Sequence, residues 1–200
     1  MEIFKYGDVE MEYLKRKDKK LGEAIQRIGK IQREVMPDLF VALISSIVGQ
    51  QISSKAADTV WARLCDLAGE ITPSSMAEIN ASDIQKCGMS LRKATYIKGI
   101  TDAVINGELS MEELKSLSDE EVIKRLTAFH GVGVWTAEML MIFSMERPDV
   151  VSWNDLAIRR GMSRLYHHKE LTKEQFLRYK KRYSPYGSVA SLYLWAISAE

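Results

Sequence analysis

Apolar residues recur at helical spacing along nearly the whole chain. Leu21, Ile25, Ile28 and Ile31 predict a helix from about Lys19 to Val35, and Met36-Pro37-Asp38 restarts the chain. Phe40, Leu43, Ile44 and Ile47 form the next stripe, ending at Gly49, and Ala57, Val60, Trp61 and Leu64 predict a helix over about Ser53 to Ala68. Thr72-Pro73 reads as an N-cap with proline at the first helical position. Ser90 opens a helix on Leu91, Ala94, Ile97 and Val104, while Ser110 with Glu113, Ser118 with Glu121 and Thr172 with Gln175 have the spacing of helix starts. A last helix runs from Ser188 to Ala199 on Val189, Leu192, Tyr193 and Ala196. Residues 1–18 are polar and hold at most a short surface helix, and no alternating strand or internal repeat is visible. The pattern is all-α, with about ten helices.

Composition narrows the class. Two hundred residues at 46% hydrophobic support a sizeable core and exclude a disordered chain. A net charge of +1 shows no general grip on nucleic acid, although local pairs such as Arg92-Lys93 and Arg159-Arg160 are hidden in the sum. For Arg92 and Lys93 a solvated helix face is the simpler expectation than a phosphate contact. Cys65 and Cys87 are too few for a disulfide framework or a zinc site and read as reduced thiols. His130, His167 and His168 lack ligand spacing with acidic partners, so no metal is expected. The longest apolar run, Leu39 to Ile44, falls far below the roughly 18 residues of a membrane span, and the first residues have no signal-peptide core. A soluble, intracellular protein with no membrane partner is expected.

The most informative stretch runs from Leu126 to Asp155. A helix opened by Ser118 carries Val122, Leu126 and Phe129 and is expected to stop at Gly131. Gly131-Val132-Gly133 permits a sharp turn, and a second helical pattern follows from Val134 to Met145, with small Thr136 and Ala137 near its start. The amides of such a hairpin and of the second helix's first turn, with the helix dipole, can hold one phosphate without a basic side chain. The plain alternative is a helix C-cap followed by a turn. A dinucleotide-binding fingerprint is excluded, because Thr136 stands where the third glycine belongs and the preceding segment is helical in pattern. Downstream, Ser152-Trp153-Asn154-Asp155 could begin a helix over Trp153 to Tyr166, with Ser152 as cap and Asp155 in the first turn.

Several of these stretches together resemble the helix-hairpin-helix DNA glycosylases, in particular their alkylated-base, 3-methyladenine branch. They are Phe129-His-Gly131-Val-Gly133-Val-Trp135-Thr136-Ala137, then Pro148-Asp149-Val150 and Asn154-Asp155. Ile47-Val-Gly49-Gln50-Gln51-Ile52-Ser53 and Tyr183-Ser-Pro185-Tyr186-Gly187-Ser188-Val-Ala190-Ser-Leu-Tyr193-Leu194-Trp195 join them, so that the resemblance covers nearly everything from about Leu21 onward. It implies an all-α, two-lobed helix-hairpin-helix fold with a cleft between the lobes. One glycosylase unit over 1–200 would comprise a lobe near 39–147, containing the hairpin at 118–145, and a lobe near 1–38 plus 148–200.

The resemblance also assigns roles. Asp155 is the catalytic carboxylate. Trp135, Trp195 and Met139 fall on base-pocket positions, Trp153 serves either pocket or packing, and Trp61 packs. Gly131, Gly133 and Thr136 hold DNA through the hairpin. Gln51 enters the space left by an everted base, and Ser53 and Lys55 lie near phosphates or simply open their helix. Strand-cleaving members carry a lysine after the hairpin where this chain has Trp135, so no Schiff base is expected there. Met139 replaces a tyrosine, Gly187 replaces an arginine, and the chain ends at Glu200 without the four cysteines of an iron-sulfur cluster. An additional N-terminal β-rich domain of some relatives is not expected.

The function so implied is a monofunctional DNA glycosylase of base excision repair. It would evert alkylated purines from double-stranded DNA and hydrolyse their N-glycosidic bond. No cofactor is expected, with a monovalent cation in the hairpin left open. A monomer is expected, cytoplasmic at the nucleoid or nuclear in a eukaryote. The alternatives are a non-catalytic helix-hairpin-helix module that binds DNA, and a glycosylase for another lesion, which would call for more hydrogen-bonding side chains than this apolar pocket offers.

Overall fold

The computed structural model describes residues 2–200; Met1 lies outside the described residues. Among these, thirteen α-helices and one short antiparallel strand pair form two compact units, residues 36–140 and residues 2–35 with 141–200. The all-α expectation holds, with more helices than the sequence pattern suggests.

The unit of residues 36–140 is built on α3 (Leu39–Gly49), which is apolar nearly all round and is buried at Leu39, Phe40, Ala42, Leu43, Ile44, Ile47 and Val48. Around it lie α4 (Ser54–Ala68), α5 (Pro73–Ala77), α6 (Ala81–Lys86), α7 (Leu91–Ile105), α8 (Met111–Ser116), α9 (Asp119–Thr127) and most of α10 (Val134–Phe143). Their starts are locally encoded: Asp38, Ser53, Thr72, Asn80, Ser90, Ser110 and Ser118 each accept a backbone N–H three residues on. Thr72 and Ser118 complete capping boxes with Ser75 and Glu121.

The unit of residues 2–35 and 141–200 is built on α13 (Gly187–Ala199), whose residues from Gly187 to Leu194 are all buried. Small serines let the chain approach it closely. The Ser191 hydroxyl donates to the Val150 carbonyl at 2.9 Å, and Ser188 Oγ accepts from the Val150 amide at 3.0 Å. At Gly161 in α11 (Leu156–Tyr166) a Cβ would lie 1.9 Å from the Leu194 carbonyl oxygen, so only glycine allows the two helices to pack as they do. Gly187 is similarly constrained: a Cβ would meet Asp149 Oδ1 at 2.6 Å, while its amide donates to that oxygen at 3.0 Å. Gly187 is thus tied to Asp149.

Three local expectations are corrected here. The helix from Lys19 ends at Ile28 in α2 (Lys19–Ile28), because Gly29 turns out at φ 76° as its cap, and Glu34–Val35 instead pairs antiparallel with Glu2–Ile3. The polar start is no bare surface helix: α1 (Asp8–Lys17) buries Leu14, and Phe4 is buried before it. Between α1 and α2, Asp18 is a buried carboxylate that caps α2 through the Leu21 amide (3.0 Å) and accepts from Tyr166 (2.6 Å) and from Arg182 on α12 (Lys173–Tyr183; 3.2 Å). Those charge-assisted bonds are what make its burial affordable.

Gly161→Ala is expected to cost about 3 kcal/mol or more, because the obstructing atoms are backbone. Gly99→Ala, on α7 with open space around it, should stabilise by about 0.5–1 kcal/mol. Urea unfolding of both variants checks the pair.

Candidate active site

The residues singled out above fall into two groups, one in each unit. In the unit of residues 36–140, α9 ends at Thr127, earlier than Gly131, and Phe129 and Val132 continue as a tight turn through Phe129 N–H to Leu126 (3.2 Å) and Val132 N–H to Phe129 (3.2 Å). Gly131 then takes φ +87°, and a Cβ there would lie 2.4 Å from the Tyr96 ring of α7. Gly133 has no neighbour within 4 Å of such a Cβ, and its carbonyl accepts the first helical bond of α10 from Ala137 at 3.0 Å. Of the two hairpin glycines, Gly131 serves the fold, while Gly133 keeps the surface bare in front of the helix start. A helix start has amides with no acceptor inside the helix and the positive end of its dipole, both suited to a phosphate oxygen.

Thr136 is buried in the first turn of α10, and Trp135 is 43% exposed beside it. Met139, four residues beyond Trp135, shares its helix face. With Gln50, Gln51 and Ser46 these residues line a hollow of about 520 Å³. Gln51 sits exposed on the loop between α3 and α4 at φ 59°, a left-handed conformation that a non-glycine residue adopts only when its surroundings hold it there. Ser53 caps α4, its Oγ accepting from the Ala56 amide at 3.3 Å, and Lys55 is exposed in the first turn of the same helix.

Two residues on which sequence reasoning placed no role support this loop. Gln50 Nε2 donates to the Gly131 carbonyl at 2.8 Å. Lys93 is half-buried, contrary to the solvated face expected of it, and its ammonium donates to the carbonyls of Val48 (2.9 Å) and Gln50 (2.5 Å). Desolvation by burial lowers its pKa from the usual lysine value. Nothing local marks Lys93 for this: it follows Arg92 on an amphipathic helix, and its partners lie 43 and 45 residues away.

In the unit of residues 2–35 and 141–200, Asp155 is 7% exposed and is itself the N-cap of α11, so Ser152 does not cap and Asp155 precedes the first turn. Its Oδ1 accepts from the Ile158 amide at 2.8 Å and from the Trp195 indole N–H at 3.2 Å. Both bonds fall on one oxygen and fix the carboxylate's orientation at a helix N-terminus, where negative charge is best accommodated. Trp195 stacks on Phe143 (centroids 5.4 Å, 29° between planes), which the sequence pattern left unassigned. Trp153 packs edge-on against Phe176 (5.1 Å, 79°) and under the Arg159 guanidinium (5.0 Å). Cys65 is half-buried and Cys87 buried, and desolvation pushes both thiol pKa values up. Among the described residues no helix is long and apolar enough to cross a membrane.

Two helices joined by a glycine hairpin make a helix-hairpin-helix motif, and α9 and α10 are joined in this way. The chain belongs to the HhH-GPD superfamily of base excision DNA repair proteins, whose family model matches residues 44–185. A DNA-3-methyladenine glycosylase of Schizosaccharomyces pombe is 37% identical over 161 residues, covering 78% of this chain and 71% of that protein. The crystal structure of a DNA-3-methyladenine glycosidase from Bacillus halodurans superposes with a TM-score of 0.88 at 36% identity, over 99% of this chain and 93% of that one. A Schizosaccharomyces pombe 3-methyladenine DNA glycosylase in complex with abasic DNA superposes with a TM-score of 0.82 at 32% identity, over 94% of this chain and 95% of that one.

The two hairpin glycines should separate in stability measurements. Gly131→Ala is expected to lose about 2–3 kcal/mol, from the positive φ and the Tyr96 clash together. Gly133→Ala should stay within about 0.5 kcal/mol of the parent. Equal losses in urea unfolding would mean that Gly133 also serves the fold.

Proposed function

We propose that this chain is a monofunctional DNA glycosylase that removes alkylated purines, 3-methyladenine and 7-methylguanine foremost, from duplex DNA and leaves an abasic site. The observation that carries the reading is Asp155, buried and oriented by the Ile158 amide and the Trp195 indole. The relatives named as 3-methyladenine glycosylases support the same substrate class. The protein is read as a monomer that acts wherever its genome lies.

The chemistry follows from the substrate. Everting a nucleotide costs roughly a few kcal/mol, less for a damaged pair. Gln51 is assigned to the vacated stack, and Gly131, Gly133, Thr136, Ser53 and Lys55 to the phosphates. A purine alkylated at N3 or N7 is cationic, and an aromatic face such as Trp195 or Trp135 attracts it by roughly 0.5–2 kcal/mol, with Met139 assigned to the same base; Trp153, packed against Phe176 and Arg159, is left to packing. Its positive charge also makes it a good leaving group, so it departs with the bonding electron pair without needing a general acid. The sugar then carries developing positive charge, which the Asp155 carboxylate stabilises while water adds at C1′ and passes its proton to solvent. Conventional glycosidases need two carboxylates because their leaving group must be protonated; here one suffices. With Trp135 where strand-cleaving members carry lysine, no amine is available at that position for a covalent intermediate.

Incubation with methylated duplex DNA, mass spectrometry of released bases and electrophoresis with and without alkali test this directly. Free methylpurines, with strand breaks only after alkali, are the expected result. Asp155→Asn should lower base release about 10²- to 10³-fold while abasic-DNA binding persists. Retained turnover in that variant would remove Asp155 from its role, tight binding without release would indicate a non-catalytic module, and breaks without alkali would reveal a lyase nucleophile elsewhere.

A further inference from the structure

The Gln51 loop is strained, and the groups that hold it also hold the hairpin. Gln51 is at φ 59°, so something must offset roughly 1–3 kcal/mol of backbone strain. Lys93 does so from below. Its ammonium caps the C-terminal end of α3 by bonding the carbonyls of Val48 and Gln50, on either side of Gly49 and immediately before Gln51. The Gln50 side chain then crosses to the Gly131 carbonyl at 2.8 Å, joining the loop to the hairpin at the glycine with φ +87°. Tyr96, three residues after Lys93 and on the same face of α7, lies under that glycine and stacks on His130 (6.2 Å, 24°). One face of α7 therefore supports both loops, and one amide ties them directly.

We infer that Lys93 and Gln50 are positioning residues for base eversion, coupling the hairpin's hold on the backbone to the intrusion of Gln51 into the base stack. The inference rests on the reading of Gln51 as the residue that fills the vacated stack. A loop free to relax out of the left-handed conformation would lose its aim; a loop pinned to the hairpin enters the duplex at a set distance from the gripped phosphate. Lys93 acts here through Gln50 and Gln51 and makes no contact with DNA of its own. That separates it from a phosphate-binding cation, whose loss would weaken binding to all DNA and reduce the salt dependence by about one counterion.

The test compares single-turnover release of 7-methylguanine from two duplexes, one with the lesion paired to cytosine and one with it opposite a tetrahydrofuran abasic analogue, where no pair has to be broken. Lys93→Met should slow release from the paired duplex at least tenfold and from the unpaired one less than threefold, and Lys93→Arg, which keeps the donors, should recover most of the loss. Gln50→Met, which removes only the tie to Gly131, should show the same selectivity and gives a second reading if Lys93→Met folds poorly. Gln51→Ala is the reference. If it is selective for the paired duplex and neither Lys93→Met nor Gln50→Met is, the coupling is wrong while the role of Gln51 stands. If Gln51→Ala slows both duplexes alike, the role of Gln51 falls and the coupling with it. Equal slowing of both duplexes by Lys93→Met and Gln50→Met would make these residues merely structural, and a reduced salt dependence in Lys93→Met would make Lys93 a phosphate contact; either overturns the inference.

Discussion

The packing of α11 on α13 at Gly161 is the constraint from which the carboxylate's geometry follows. With the Leu194 carbonyl pressed against the place where a Cβ would be, the next residue, Trp195, is brought to the start of α11, where its indole N–H reaches Asp155 at 3.2 Å. A bulkier residue at 161 would widen the helix pair and withdraw the Trp195 indole from Asp155. Helix α13 is buried from Gly187 to Leu194, and the serines at 188 and 191 spend their hydroxyls on the chain around Val150, a few residues before Asp155. The position of the acid thus depends on close backbone approach, which small side chains alone permit.

How much of this was legible depends on the range of the interaction that decides it. Helix starts are decided within four residues, and Ser118 with Glu121, Thr72 before Pro73 and Thr172 with Gln175 read directly as the caps they are. The end of α2 was misread because Ile31 continues the apolar spacing past Gly29, whose positive φ breaks the helix first. Asp155 was readable as a helix-start residue, but not as the cap itself, since Ser152 and Asp155 are both good caps and the choice depends on the helix beginning only at Leu156. Lys93 was misread for a different reason: a lysine on an amphipathic helix is usually solvated, and only the tertiary fold brings the end of α3 to its ammonium.

Charge illustrates the same limit. A sum of +1 describes no surface and hides what a helix-hairpin-helix protein uses. Partial charges at helix termini carry no formal charge, so a hairpin of Gly-Val-Gly type can present an anion site that composition cannot register. What composition does register, the apolar content, is distributed over the cores of both units, with α3 buried in one and α13 in the other.

Structure and chemistry meet in a single oxygen. Asp155 Oδ1 caps α11 and receives the indole, so removing the side chain would cost a helix cap, about 1 kcal/mol, as well as a charge. Asparagine caps a helix nearly as well as aspartate, and its carbonyl oxygen can still accept both the Ile158 amide and the Trp195 indole. The amide therefore separates the two duties: it keeps the cap and the indole bond on one oxygen and removes the negative charge that a cationic sugar would feel. In this protein the cap explains why the residue is held so firmly, and the charge explains why it is worth holding.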